Sequence, residues 1–396
     1  MQTIVLAAGQ GTRMRPLTDS TPKPMLPVAG QPIVAHTLDA AIEAGATSLV
    51  LVVGYQAEAV ESYFGDTYRD VPVSYVEQTE QRGTAHAVRT ASTALDDAPF
   101  VVLNGDALYD TASLARLYDA GPAVGTYRVD DPSQYGVLEL DGDRVTGVIE
   151  KPPDPPSDLI NTGAYVFPAE AQALLDVDTS ERGELELTDV LATVCDQYDV
   201  TPVPFDRWLD VGRPWELLEA NEWKLADLDT HIEGDVSDDA TLRGTVVVEA
   251  GATIEPGVVI DGPAYVSEAA SVGPNAYVRG HTYLGPDVHI GHAVEIKNSV
   301  IMAGTNVGHL AYVGDSVLGQ VANFGAGTNV ANLRHDDDPV RMLVKGELTS
   351  TGRRKFGVVV GDNAKTGINC SLNAGVTLPT DARIPPGETV MRDPDA

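Results

Sequence analysis

From Val236 to Met302 an apolar residue recurs at every sixth position: Val236, Leu242, Val248, Ile254, Ile260, Val266, Val272, Val278, Leu284, Ile290, Ile296 and Met302. After one slip the rhythm resumes at Val307 and Val313, and it returns at Val360, Leu372, Leu378, Ile384 and Val390. Neither an α-helix, with its period of 3.6, nor a strand, with its period of 2, sustains a period of six. Short strands turning corners around a prism do, with one aliphatic residue per side directed into a narrow core. Turn-prone residues follow several of these positions, as in Val272-Gly273-Pro274-Asn275 and Leu284-Gly285-Pro286-Asp287. Residues 226–396 are therefore expected to form an all-β coil.

The chain before the repeat follows another pattern. Short apolar runs (Ile4–Ala8, Ser48–Val53, Val73–Val76, Phe100–Leu103) alternate with helix-like stretches such as Ile33–Ala44, which ends at Gly45, a residue suited to the positive φ of a helix terminus. Buried strands separated by helices predict an α/β domain with a mostly parallel sheet over residues 1–225. Ligands of such sheets bind beyond the carboxyl ends of the strands. A helix from Trp208 to about Asp229 is expected to link the two domains.

Charge narrows the range of partners. The chain carries 58 acidic and 26 basic residues, a net charge of −32. A surface of that sign repels nucleic acid and anionic membranes, so neither is expected as a partner. The acids are dispersed rather than gathered in one tail, which predicts a surface adapted to high salt. Cys195 and Cys370 form neither a metal-ligand spacing nor a disulfide framework. The opening Met1–Gly9 lacks the basic end and long apolar stretch of a signal peptide, so a cytoplasmic protein is expected.

In such an acidic chain the cations around the first glycine turn stand out. Gly9-Gln10-Gly11-Thr12-Arg13-Met14-Arg15 follows the first apolar run, with Lys23 in Pro22-Lys23-Pro24-Met25. A glycine-rich turn after a strand lets backbone N–H groups approach a phosphate, and Arg13 and Lys23 add the charge a triphosphate needs. No Gly-Lys-Ser/Thr follows, so this is not a Walker A loop, and the third glycine of the dinucleotide fingerprint is missing.

Gly-x-Gly-Thr-Arg-Met with Lys-Pro-Met resembles the signature of the sugar-1-phosphate nucleotidylyltransferases, whose Rossmann-like α/β domain the resemblance implies. It extends through Glu77–Ala87, Asn104-Gly105-Asp106, Glu150-Lys151-Pro152, Asn161-Thr162-Gly163 and Trp208–Gly212 in the expected order. On this resemblance Ala8, Gly9, Gly11, Thr12, Gln78, Gly83 and Thr84 bind the nucleotide, with Gln78 and Gly83 reading the pyrimidine. Gly136, Glu150, Lys151 and Asn161 bind the sugar phosphate. Asp106 and Asp210 hold Mg²⁺, a hard cation suited to carboxylates and phosphate oxygens. Arg13 neutralises the β- and γ-phosphates, and Lys23 bridges the nucleophile and the α-phosphate.

The repeat carries a second set of reactive residues. Gly308–Asp315 interrupts the rhythm with His309 and Tyr312 three apart; Asn323 and Asn332 follow, and a polar insertion spans residues 333 to about 355. With Arg279 and Lys297 upstream, this set resembles the acetyltransferase domain of the archaeal-like bifunctional N-acetylglucosamine-1-phosphate uridylyltransferase/glucosamine-1-phosphate acetyltransferases. The resemblance implies a left-handed parallel β-helix, a homotrimer, and acetyl-CoA as co-substrate. It gives His309 the role of general base, Arg279 and Lys297 the sugar phosphate, and Tyr312, Asn323 and Asn332 the sugar and its amine. A lysine that the bacterial enzymes carry after this segment is absent; Arg334, Arg341 and Lys345 are the nearby cations, and Arg353-Arg354-Lys355 is the only basic triplet. His281, His289 and His292 are read as structural. The alternatives are a glucose-1-phosphate uridylyl- or thymidylyltransferase with a non-catalytic repeat, and a non-catalytic sugar-nucleotide-binding subunit.

Overall fold

The computed structural model describes residues 1–180 and 182–394. Two compact units divide it. The first comprises Met1–Gln10, Pro22–Met25 and Pro32–Asp210; the second comprises Gly11–Thr21, Leu26–Gln31 and Val211–Ala396.

Four parallel strands form the centre of the first unit, in the order Phe100–Asn104, Gln2–Leu6, Ser48–Val53 and Val71–Glu77. Their residues alternate between two apolar clusters. Val5, Leu49, Leu51 and Val101 meet the helices Ile33–Glu43 and Thr111–Asp119, whereas Ile4, Val50, Val52 and Val102 meet Thr84–Ala91 and Leu187–Gln197. Burial on both faces explains why these strands read as continuous apolar runs. Leu159–Phe167 then pairs antiparallel with Phe100–Asn104, and an antiparallel hairpin of Gly136–Asp141 and Arg144–Glu150 extends that edge, so the sheet is mixed outside its parallel centre. From Gln2–Leu6 the strand order runs outward in both directions, which puts a topological switch point between Leu6 and Asn104.

The expected linking helix is shorter than Trp208–Asp229. Trp208–Asp210 is a strand paired antiparallel with Ala107–Tyr109, and the indole N–H of Trp208 donates to the Thr162 carbonyl at 3.0 Å. The helix spans Pro214–Ala226, beginning at a proline whose fixed φ and missing N–H suit a first turn. Trp215, Leu217, Leu218, Ala220, Trp223 and Leu225 bury it nearly all round, as part of the second unit.

The repeat forms three parallel sheets of eight strands, each strand stacked on its equivalent one coil away: a three-sided parallel β-helix. Coils are eighteen residues long across Val248↔Val266 and Val266↔Leu284, and the six-residue aliphatics fill the core. Each buried aliphatic side chain contributes roughly 1.5–3 kcal/mol. The rhythm slips one step earlier than Met302. Leu284 stacks on Ile301 and Ile301 on Leu318, so the sides ending at Ile301 and Leu318 are five residues long, and Ile301 occupies the core. Many corners have positive φ, supplied by Gly251, Gly257, Asn275, Asp287, Asn298, Gly304, Asp315 and Gly327, and less comfortably by Ala269, Ala293, Leu310 and Val321. Between Val330 and Val359 the chain leaves the coil, forms an antiparallel hairpin of Arg341–Val344 and Glu347–Ser350, and returns in register, Val317 pairing Val359. No described helix is long and apolar enough to cross a membrane.

Candidate active sites

In the first unit a cleft of about 290 Å³ opens at the carboxyl ends of the parallel strands, against the switch point. Its walls include Ala8, Gly9, Gln78, Gly83, Thr84 and Asp106 of the expected nucleotide and metal residues, together with Leu6, Gln81, Ala87, Asn104 and Glu184. Gln81 donates to the Ala8 carbonyl at 2.7 Å, fixing the loop on the first strand. Gln78 donates to the Gly83 carbonyl at 3.2 Å and lies 3.1 Å from Nδ1 of His86, so its amide is held in place by its own loop. A Cβ on Gly9 would meet nothing within 4 Å, which leaves that backbone open to a ligand.

Gly83 is different. Its φ is +116°, and a Cβ there would lie 2.4 Å from the carbonyl oxygen of Leu185. Gly83→Ala is expected to cost about 1–3 kcal/mol of backbone strain, with the steric clash added, and to displace the loop carrying Gln78. Thermal melting and nucleotide titration check this: a variant with unchanged Tm and nucleotide affinity would contradict it.

Lys23 is buried, and its Nζ lies 2.5 Å from Oδ2 of Asp106. Asp106 follows Phe100–Asn104, and Gly105 N–H donates to the Leu6 carbonyl at 2.9 Å, anchoring that turn at the switch point. The short strand pair brings Asp210 opposite Ala107, one residue from Asp106. Both carboxylates act on the buried Tyr109 hydroxyl: burial first, then Asp106 and more weakly Asp210 hold its pKa well above the phenolic value. Among the described residues no group of three or more His, Cys, Asp or Glu side chains forms a metal cage. Asp106 in the cleft wall and Asp210 on the neighbouring strand are a donor pair that suits Mg²⁺, which keeps water and substrate phosphates in its shell.

The sugar-side residues come from neighbouring strands. Gly136 pairs with Glu150, and Ile160, next to Asn161, pairs with Val137. Asn161 is nearly fully buried, donating to Tyr165 Oη at 2.6 Å and accepting from Gly163 N–H at 2.9 Å. Glu150 accepts Arg182 at 3.0 Å and lies 3.4 Å from Lys151. Arg182 also reaches Glu186 at 3.1 Å, whose pKa is raised by burial against the opposing pull of Arg182. Gln81, Asn104, Glu184 and Arg182 were not expected from the motifs, although Gln81 and Asn104 lie inside quoted segments.

Gly11, Thr12 and Arg13 belong to the second unit. Gly11, at φ +61°, accepts from Met14 N–H and Thr18 Oγ, closing a tight turn that leaves Arg13 exposed.

On the β-helix, one polar cluster joins several expected acetyl-site residues. Asp315, almost fully buried, accepts Lys297 at 2.6 Å, Asn332 at 2.6 Å and Asn298 at 3.0 Å. Asn332 also donates to the Tyr312 hydroxyl at 3.1 Å, and burial followed by Asp315 raises the pKa of that tyrosine. Arg279 pairs with Glu295 at 2.7 Å on the adjacent coil. Both cations expected to hold a sugar phosphate are thus engaged with carboxylates. Both pairs run diagonally between coils, since Arg279 itself stacks on Lys297 and Lys297 on Gly314. His309 ends the strand Asn306–His309, exposed and stacked on His292; Asn323 stacks on Asn306 of that strand. No hydrogen bond joins His309 to the Asp315 cluster among the described residues. In the insertion, Arg334 pairs with Asp336, Arg353 with Glu222, and Arg354 with Asp337.

Removing a carboxylate from a buried pair leaves its partner charged and desolvated. Asp315→Ala is expected to cost about 3–5 kcal/mol. It would also free Lys297 and Asn332, disordering the polar cluster around Tyr312. Urea unfolding checks this; an unchanged unfolding free energy would contradict it.

A family model described as nucleotidyl transferase matches residues 2–226, and one described as GMPPB C-terminal domain matches residues 260–385. The bifunctional protein GlmU of Methanocaldococcus jannaschii is 39% identical over 396 residues, covering 99% of this chain and 95% of that one. The bifunctional sugar-1-phosphate nucleotidylyltransferase/acetyltransferase of Sulfurisphaera tokodaii is 36% identical, covering 99% and 98%. Among solved structures, a UDP-glucose pyrophosphorylase complexed with UDP-glucose matches with a TM-score of 0.53 at 26% identity, over 57% of this chain and 99% of that chain.

Proposed function

This chain belongs to the family of bifunctional sugar-1-phosphate nucleotidylyltransferases/acetyltransferases, and from that membership we propose that it makes UDP-N-acetylglucosamine in two steps. The observation that carries the reading is coverage: relatives named as bifunctional, one of them for both activities, align along nearly the whole chain. The reading assigns nucleotidylyl transfer to residues 1–225 and acetyl transfer to 226–396, although the second compact unit also takes in Gly11–Thr21, Leu26–Gln31 and the helix Pro214–Ala226.

In the first step the 2-amino group of glucosamine-1-phosphate attacks the thioester carbonyl of acetyl-CoA. A C–N bond forms, the C–S bond breaks, and coenzyme A leaves as the thiol. His309 takes the amine proton as the C–N bond forms and returns it to the departing sulfur, the role of a general acid–base. Tyr312, Asn323 and Asn332 orient the sugar, and Arg279 and Lys297 receive its phosphate, exchanging carboxylate partners for phosphate oxygens. In the second step the phosphate oxygen of N-acetylglucosamine-1-phosphate attacks the α-phosphorus of UTP in line, and pyrophosphate leaves. Such a transfer depends on positioning and charge neutralisation. Asp106 and Asp210 would hold Mg²⁺, whose charge offsets that of the phosphates. Lys23 orients the attacking oxygen, Arg13 meets the β- and γ-phosphates, and Gln78, Gly83 and Thr84 hold the base. Gly136, Glu150, Lys151 and Asn161 bind the sugar.

The protein is cytoplasmic, acts on small molecules alone and assembles as a trimer; the exposed aliphatics Leu310, Val321 and Ile368, at or beside coil corners, are surface an assembly would cover. With a net charge of −32 it is adapted to high salt. It is expected to lose its folded state on transfer from molar to low-millimolar KCl, as self-repulsion is unscreened; circular dichroism through the dilution checks this.

The deciding experiment supplies purified protein with acetyl-CoA and glucosamine-1-phosphate in molar KCl, then with Mg-UTP and N-acetylglucosamine-1-phosphate. Thiol release in the first mixture and pyrophosphate release in the second are expected. A second reading, a glucose-1-phosphate uridylyltransferase on a β-helical scaffold, is favoured by the engagement of Arg279 and Lys297 with Glu295 and Asp315. It predicts no thiol release, with glucose-1-phosphate preferred in the second mixture.

A further inference from the structure

The insertion's hairpin ends in a two-residue turn, Lys345-Gly346, between the paired residues Val344 and Glu347. Both turn residues have positive φ, +52° for Lys345 and +83° for Gly346. Such a turn matches the twist of a hairpin, but its first position suits Asn, Asp or Gly, so a lysine there carries backbone strain. The base of the hairpin is fixed: Val340 and Met342 are buried, Thr351 Oγ donates to the Val340 carbonyl at 2.8 Å, and Gly375 packs against the Arg341 carbonyl. The turn is therefore presented by a firm support.

It lies within the second unit against the segment that continues the glycine turn. Thr12, Arg13, Arg15, Leu343, Val344 and Lys345 line one hollow of about 480 Å³. Arg15 faces Asp19 at 3.5 Å, whereas Arg13 and Lys345 have no carboxylate partner among the described residues. Three cations around one hollow, two of them uncompensated, are exceptional in a chain with 26 basic residues against 58 acidic. Their mutual repulsion falls when a polyanion enters.

We propose that Lys345, carried on the insertion of the β-helix, joins Arg13 and Arg15 in binding inorganic pyrophosphate, the leaving group of nucleotidyl transfer, in this hollow of the second unit. The identity of the anion rests on the nucleotidylyltransferase reading above; the hollow itself does not.

Lys345→Asn removes the charge while giving the turn a residue that accepts positive φ, so the hairpin is retained. The probe is inorganic pyrophosphate with Mg²⁺, titrated calorimetrically into the intact protein in molar KCl. Lys345→Asn is expected to weaken its binding about tenfold, the loss of one charge-assisted contact. Lys345→Arg should retain affinity, Lys345→Glu should lose more than Lys345→Asn, and thiol release should stay unchanged in all three. Unaltered pyrophosphate affinity in Lys345→Asn, or a selective fall in thiol release, overturns the proposal. Wild-type protein that binds pyrophosphate but releases none from any nucleotide and sugar phosphate removes the functional reading and leaves the hollow standing. Wild-type protein that transfers nucleotide with Lys345→Asn unaffected does the reverse.

Discussion

His309→Ala is expected to lower thiol release from acetyl-CoA by about 10²–10⁴-fold, the range of a positioned general base, while pyrophosphate release from UTP continues at the wild-type rate. The position makes the test clean. His309 ends its strand exposed, immediately before the corner at Leu310, and its side chain supports no described hydrogen bond. Alanine therefore removes an imidazole without opening the aliphatic core, and melting should be unaltered. A rate within threefold of wild type, from protein with an unchanged Tm, would remove His309 as the base and leave the β-helix as scaffold.

The second large effect lies in the other reaction. Asp106→Asn is expected to reduce pyrophosphate release by about 10²–10³-fold, the scale seen when one preorganised electrostatic group is lost, and to raise the Mg²⁺ concentration required. Asparagine keeps the shape of the turn at Gly105 but loses the charge 2.5 Å from Lys23. That charge has two tasks: it would hold the cation and it restrains the lysine. Asp210→Asn should show the metal effect with less disturbance of Lys23, so comparing the two Mg²⁺ titrations separates the tasks. Activity near wild type in Asp106→Asn would place the metal elsewhere. Acetyl transfer should be untouched in both variants.

The repeat was legible because one aliphatic per side is a strict packing requirement, and the parallel centre because burial on both faces forces apolar runs. Where the sequence misled, the cause was local degeneracy. Val300, Ile301 and Met302 are consecutive apolar residues, so periodicity could not choose which one points inward; stacking on Leu284 chose Ile301. Trp208–Asp210 carries no strand pattern in three residues, and only pairing with Ala107–Tyr109 makes it one. In the candidate sites, Asp106, Gln78 and Gly83 stood out because the motif leaves few substitutes. Glu184 comes to the same cleft from a segment nearly eighty residues further along, a distance no local pattern spans. The partners of Lys297 and Arg279 were not readable from coil length: stacking sets Arg279 on Lys297 and Lys297 on Gly314, whereas both carboxylates reach across diagonally.

The excursion between Val330 and Val359 has a wider consequence. Val317 pairs with Val359 and Val330 with Leu372 as though nothing intervened, so the stack closes without losing its ladder. The entropy of closing a loop grows only logarithmically with its length. A lineage can therefore lengthen, shorten or rewrite this stretch at little thermodynamic penalty, while the coils on either side stay unchanged. Innovation in such a molecule is cheapest at its detours, and a tip grown there can acquire a role in chemistry that the prism beneath it never performed.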